Sequence, residues 1–332
     1  MKTAKIIGCG LSGVTASVIL KRKGYQVKIY ETRNHIGGNC YDSNVNGVKL
    51  HNYGPHIFHT DDEEVFKFLS EFTEWIPFKL QPKGNTKLGL ISLPYSKKTQ
   101  KEIGRELSQE EIIDVIFKDY SEKQWGVDFD LIPRSITNRI PKTKDSEDPT
   151  WFEGQKYQCI PKHGYTEMFK NMLQGIEVMT GVDKDLWKSY KTDLTIYTGK
   201  IDEYFDYCYG ELPYRSLEFI HKTSSKKLEH FIINQNTKDV TYTRKYDHSY
   251  FTPNHMGMTI ITEEYPKQCE DGDIPYYPIP FGNGIKMYLK YKELAEQENN
   301  IIFAGRLATY TYLDMWMAVK QVMLKLKNLT NL

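Results

Sequence analysis

Residues 5–39 read KIIGCGLSGVTASVILKRKGYQVKIYETRNHIGGN, and this stretch restricts the fold most tightly. An apolar run, AKIIGCG, ends in glycine. LSGVTASVILKRKG then places Leu11, Val14, Val18 and Ile19 at helical spacing, and YQVKIYE is a second apolar run. The pattern predicts a strand, a helix and a strand. Gly8, Gly10 and Gly13 fall where the first strand turns into the helix. A dinucleotide site needs glycines there for the tight turn, for close approach of a pyrophosphate and for helix packing. The helix N-terminus would add N–H groups and partial positive charge. Glu31 closes the second strand, placed to accept hydrogen bonds from a ribose. Three glycines alone often do no more than pack a helix on a sheet; with the strand, the helix and the acid they point to a bound dinucleotide.

Gly37 and Gly38 offer a second close backbone approach, or a plain turn. The AGR at 304–306 offers a third contact from the far end of the chain. This layout suits a flavin held from both ends better than a nicotinamide.

The remaining composition removes other classes. With 44 basic and 43 acidic residues among 332, the chain has no global field to draw it to nucleic acid or an anionic membrane. Five cysteines without a C-x-x-C spacing read as free thiols in a reducing cytosol rather than as a zinc site. MKTA leads straight into a strand-like segment and no run is long enough to span a bilayer, so a cytoplasmic chain without membrane insertion is expected. The 24 tyrosines fit a cleft for a large, partly flat ligand as well as an aromatic core.

Further along, Thr60 with Glu63 and Ser108 with Glu111 read as capping boxes opening helices, which makes the middle of the chain helical. EDPTWFEGQKYQCIPKHGYT shows no period and reads as a loop. Short β-like runs from about Leu217 to Thr262, notably VTYTRKY and MTIIT, predict an antiparallel sheet. NIIFAGR predicts a closing strand, followed by a helix from about Asp314.

Several side chains could carry chemistry. His51, His56 and His59 lie in a stretch interrupted by Gly54-Pro55 and containing no cysteine, which favours a polar loop near the flavin over a metal site; no metal is expected. Alternation in VTYTRKY puts Val240, Tyr242, Arg244 and Tyr246 on one face. A guanidinium on that apolar face needs an anionic partner, either an internal carboxylate or a ligand phosphate. Arg139, two residues before a proline, ends an element and either projects into a cleft or is solvated. Tyr120 and Trp125 sit near a helix end, and Tyr276 and Tyr277 in a proline-braced turn; such aromatics are core as often as ligand platforms.

Nine segments in order resemble the UDP-galactopyranose mutase family: GCGLSG, ETRNHIGGN, HNYGPHIFHT, YSEKQWG, NRIP, GKIDEYFDYCYGELPYRSL, YTRKYDHSYF, PYYP and AGRLATYTYLDM. The resemblance implies an α/β fold in which a Rossmann-like FAD-binding domain carries a small helical domain and an antiparallel β-sheet domain. The FAD-binding domain would comprise 1–75, 163–204 and 294–332, the helical domain 95–138, and the sheet domain 76–94, 139–162 and 205–293. It also implies interconversion of UDP-galactopyranose and UDP-galactofuranose, or a related nucleotide sugar, on reduced FAD through a covalent flavin N5–sugar adduct with no net redox change. An external reductant such as NADPH and a homodimer would accompany it.

By the same resemblance Arg139 and Arg244 match the two essential arginines, which makes pyrophosphate the expected partner of Arg244. Tyr277 and Tyr312 match phosphate-contacting tyrosines, and Tyr120 the residue stacked on uracil. Ser121 and Trp125 match positions lining nucleotide and sugar, and His56 the histidine beside the flavin. The flavin set implied at the N-terminal end is Gly8, Gly10, Ser12, Gly13, Glu31, Thr32, Arg33, Gly38 and Asn39. His56, Ile57 and Phe58 join it, as do Gly305, Arg306, Leu313, Asp314 and Met315 from the other end. Pro55 stands where the family often has alanine, and Trp151 takes the place of a loop tyrosine on the substrate side. The segment before YSEKQWG is shorter than bacterial members usually show, which trims the helical domain. An amine-oxidase-type flavin oxidase or desaturase shares the dinucleotide unit but leaves the arginines and tyrosines unexplained; a flavin-binding chain without activity is the third possibility.

Overall fold

The computed structural model describes residues 1–137, 144–253, 255–279 and 281–329. A five-stranded sheet runs in the order Glu177–Met179, Gln26–Tyr30, Thr3–Ile7, Leu194–Tyr197, Ile301–Phe303, with every pairing parallel. Helix Leu11–Arg22 makes the crossover between Thr3–Ile7 and Gln26–Tyr30. The sheet's inner strands are covered on both faces, so that Lys5 and Thr195 are buried along with Ala4, Ile6 and Ile196. The closing helix, Met315–Lys327, buries Val319, Val322 and Leu326 in the same core as Val14 and Val18 of the first helix. Both ends of the chain thereby meet on one sheet.

The second sheet has seven strands: Tyr277–Pro278, Tyr214–Ser224, Thr259–Gln268, Arg244–Asp247, Ile232–Gln235, Lys83–Thr86 and Gly89–Ser92. It is antiparallel except where Ile232–Gln235 pairs parallel with Lys83–Thr86. Its spine is not the short runs expected: Tyr214–Ser224 and Thr259–Gln268 pair over ten positions. In VTYTRKY only Arg244–Asp247 is strand, so the predicted alternation fails before Arg244; Thr243 is buried and Thr241 exposed. Tyr277 is the edge strand of this sheet rather than a turn.

The expected loop at 147–166 contains strand Tyr157–Pro161, central to a three-stranded sheet between Phe58–Thr60 and Trp75–Pro77. A short strand paired on both sides has no polar face, so it gives no alternating signal. Thr60 is not a helix cap either. It ends a strand and its hydroxyl accepts from the Asp62 N–H, while Asp62 caps helix Glu63–Ser70 by accepting from the Val65 N–H at 3.0 Å. The Ser108–Glu111 capping box is present. Beyond it, a π-helical stretch, Ile113–Lys118, runs into helix Asp119–Trp125.

Candidate active site

The glycine turn is closed by contacts that admit no side chain. Gly8 has φ +99°, and a Cβ on it would stand 2.2 Å from Thr198 Oγ1. A Cβ on Gly13 would stand 2.0 Å from the Gly8 carbonyl oxygen. Gly10 opens helix Leu11–Arg22 and its carbonyl accepts from the Val14 N–H, which leaves the first-turn N–H groups without intrahelical acceptors. Gly37 donates to the Cys9 carbonyl, and a Cβ on Gly38 would lie 2.8 Å from Gly10 Cα, so the second glycine pair packs against the first. From the other chain end, Gly305 meets Ser12.

Glu31 is buried. One carboxylate oxygen accepts from the Cys9 N–H at 2.7 Å, the other from the Arg33 N–H at 2.8 Å and the Thr32 hydroxyl at 3.4 Å. Arg33 Nη1 and Asn39 Oδ1 are buried without a protein partner. A cradle lined by glycine backbone, a free helix N-terminus, a ribose-class acid and two unpaired buried polar atoms fit a flavin dinucleotide. Phe58 differs in kind from the rest of the expected set, since its side chain packs in the core against Trp75.

Below the cradle lies a cleft of about 940 Å³. Tyr120, Ser121 and Trp125 of helix Asp119–Trp125 form one wall, and Arg244, Tyr277 and Tyr312 another. His56, Ile57, Arg306, Asp314 and Met315 line the cleft too, as does Trp151, which packs against the apolar cluster of Leu93, Ile116 and Phe117. Arg139 lies outside the described residues.

Arg244 has an internal partner that local sequence could not reveal. Its Nε donates to Glu264 Oε1 at 2.8 Å, across a register that sets the two residues directly opposite. Glu264 is fully buried, and its other oxygen has no partner. Burial pushes the Glu264 carboxyl up against the pull of Arg244, while the guanidinium stays charged. Because only Nε is engaged with Glu264, the Nη groups stay available toward the cleft. Arg306 works differently: it donates to the Tyr276 and Leu313 carbonyls and stands 5.7 and 5.0 Å over the rings of Tyr277 and Tyr312. Those rings stack, with centroids 5.9 Å apart, so Arg306 and Leu313 brace the two tyrosines.

His56 is held by a chain of imidazoles. Its Nδ1 lies 2.8 Å from the Gly54 carbonyl, which makes it the donor and leaves Nε2 an acceptor. Its backbone N–H donates to His51 Nδ1, the His51 backbone N–H to His248 Nδ1, and His248 Nε2 to the Thr262 hydroxyl. Burial pulls His56 to about 4, His248 to about 3 and His51 well below its ordinary value. The three are therefore neutral near pH 7. As pH falls below about 6.5 the unfolded chain takes up protons that the folded chain refuses. Stability present above that pH is lost as pH falls toward 4, by at most about 1.4 kcal/mol per pH unit per histidine. Urea unfolding at stepped pH is expected to show this decline, with a shallower slope in His248→Asn; an equal slope would remove His248 from the account.

All five cysteines are free. Among the described residues no helix is long and apolar enough to cross a membrane, and no cluster of His, Cys, Asp and Glu could hold a metal ion.

Known proteins align with this geometry. The UDP-galactopyranose mutase family matches residues 115–312, and a NAD(P)-binding Rossmann-like domain matches 6–72. The chain is 34% identical to a dTDP-fucopyranose mutase of Escherichia coli, over 97% of this chain and 96% of that protein. It is 33% identical to a probable UDP-galactopyranose mutase of Klebsiella pneumoniae, over 97% and 93%. The crystal structure of reduced UDP-galactopyranose mutase shares the fold, with a TM-score of 0.74 at 14% identity over 100% of this chain and 97% of that one. A putative protoporphyrinogen oxidase from Exiguobacterium shares it less closely, at 0.66 and 11% identity over 98% of each. Because the family match covers the cleft walls and the relatives above 30% identity span nearly the whole chain, the protein belongs to the UDP-galactopyranose mutase family of flavin-dependent isomerases.

Proposed function

We propose that this protein interconverts UDP-galactopyranose and UDP-galactofuranose with bound FAD in its reduced state and no net redox change. The observation that carries this reading is Arg244, fixed through Nε by a buried carboxylate and set in a cleft beside two stacked tyrosines. When bound, reduced FAD supplies the nucleophile toward the anomeric carbon. Arg244 binds the diphosphate and stabilises the charge it gains as leaving group, a task for a planar multi-donor cation in a poorly hydrated site. Burial pushes the Tyr277 and Tyr120 hydroxyls up, so both stay protonated; Tyr277 donates toward phosphate and Tyr120 offers its ring to the base. Neutral His56 keeps an acceptor beside the flavin edge. Arg139, a homodimer, a cytoplasmic setting and an external reductant such as NADPH belong to the same proposal.

A second substrate is favoured by the E. coli relative, a dTDP-fucopyranose mutase. The purified yellow protein, with and without dithionite, is therefore given UDP-galactofuranose and dTDP-fucofuranose, and the pyranose is followed by chromatography. Conversion of at least one, only when reduced, is expected. Oxygen consumption with lasting flavin reduction would instead assign an oxidase. Bound, reducible FAD without conversion of either sugar would leave a flavin-binding chain without this activity.

A further inference from the structure

Lys123 lies on the helix that carries Tyr120, Ser121 and Trp125, yet it does not line the cleft. Its ammonium donates to four backbone carbonyls, those of Gln235 at 3.0 Å, Thr237 at 2.8 Å, Val240 at 3.1 Å and Tyr242 at 3.0 Å. Four acceptors exceed its three protons, so the shell resembles that of a bound cation rather than of a surface lysine. Residues 236–243 form neither helix nor strand, and three of their carbonyls, those of Thr237, Val240 and Tyr242, turn onto this one group. The same segment runs directly into Arg244, and its Thr243 hydroxyl donates to the carbonyl of Glu264, the partner of Arg244, at 3.2 Å. Arg215 grips the helix from the sheet by donating to the Gln124 and Lys123 carbonyls at 2.9 and 3.2 Å, and it stands in register with Tyr277.

We infer that Lys123 is a positioning residue for nucleoside diphosphate binding: its ammonium organises segment 236–243 so that Tyr120 and Arg244 address one ligand. The inference rests on the nucleotide-sugar reading above. Removing the ammonium strands four carbonyls, and the segment that aims Arg244 loses its centre.

The position of this group also makes binding sense pH. Burial pulls Lys123 down to about 8, against Asp119 on its own helix and Asp239 on the segment. The other charges around it are Arg215 from the sheet and the Glu122–Lys238 ion pair, at 2.6 Å. A neutral amine keeps two N–H groups and turns a lone pair on the carbonyls. A bound diphosphate favours the ammonium, so affinity falls as pH rises through about 8, the value in the free protein.

The test is calorimetric titration of UDP into FAD-loaded wild type, Lys123→Met and Lys238→Met between pH 6.5 and 9.5, and of dTDP into wild type, with flavin absorbance and thermal unfolding recorded. Lys123→Met is expected to weaken UDP binding about tenfold or more at pH 7 and to lose the decline above pH 8. Lys238→Met, which removes only the outer ion pair, is expected to stay within about twofold of wild type and keep the decline. Lys123→Met binding like wild type, or a decline that persists in it, overturns the inference. Should Lys123→Met not fold, Lys123→Arg decides: it keeps the charge but not the compact ammonium that four converging carbonyls share, and UDP binding like wild type in that variant overturns the inference. Wild type that binds neither UDP nor dTDP overturns the nucleotide-sugar reading itself, and the inference with it.

Discussion

Arg244→Ala is expected to abolish sugar conversion while FAD stays bound, and Arg244→Lys to retain no more than about one hundredth of wild-type kcat/KM, a loss of some 2.7 kcal/mol in transition-state stabilisation. The guanidinium spends Nε on Glu264 and keeps its other donors for the ligand. A lysine ammonium is a point charge that cannot hold Glu264 and a diphosphate in two fixed directions at once. The alanine variant carries a second effect that has to be separated. It leaves Glu264 fully buried with no counter-ion, which costs about 3–5 kcal/mol of stability. Pairing it with Glu264→Gln removes the stranded charge, so Arg244→Ala/Glu264→Gln is expected to recover most of the melting temperature and none of the activity. The measurements are kcat/KM for furanose to pyranose, flavin absorbance per chain and thermal unfolding. Full activity in Arg244→Ala would show that the diphosphate lies elsewhere.

That pair also shows where the sequence stops being readable. The need of Arg244 for an anionic partner follows from its neighbours, but the partner is 20 residues away and joins it only through antiparallel register. Nothing local in TEEYP separates Glu264 from Glu263, which pairs with Lys222 at the surface instead. The predicted alternation through VTYTRKY fails for a related reason: the carbonyls of Val240 and Tyr242 turn toward Lys123, on another element, and a strand cannot form there. Asp62 took the cap expected of Thr60 because Thr60 ends a strand and its hydroxyl accepts from the Asp62 N–H, while Asp62, two residues on, reaches the Val65 N–H of the helix. By contrast the turn at the start of the first helix was legible, because the Gly8–Gly13 contact joins residues five positions apart and is written locally, whereas the contacts of Gly8 with Thr198, Gly10 with Gly38 and Ser12 with Gly305 are not.

The cradle gives the other large effect. Gly13→Ala is expected to purify nearly colourless, with flavin per chain reduced about tenfold or more, and to unfold about 1–3 kcal/mol less stable. The new Cβ would stand 2.0 Å from the Gly8 carbonyl oxygen and 3.3 Å from Ile6 Cγ2. The first of these is backbone and cannot rotate away, so helix Leu11–Arg22 has to lift from strand Thr3–Ile7. That movement carries the first-turn N–H groups off the phosphate position, where they and the helix dipole act together. Gly24, just past the other end of the helix, provides the comparison. A Cβ there meets nothing within 4 Å, although φ is +84°, so Gly24→Ala strains the backbone by about 1–2 kcal/mol without moving the cradle. Similar losses of melting temperature with loss of colour in Gly13→Ala alone would tie flavin retention to the Gly8–Gly13 contact rather than to stability. Equal flavin content in the two variants would mean that the first helix turn does not hold the pyrophosphate.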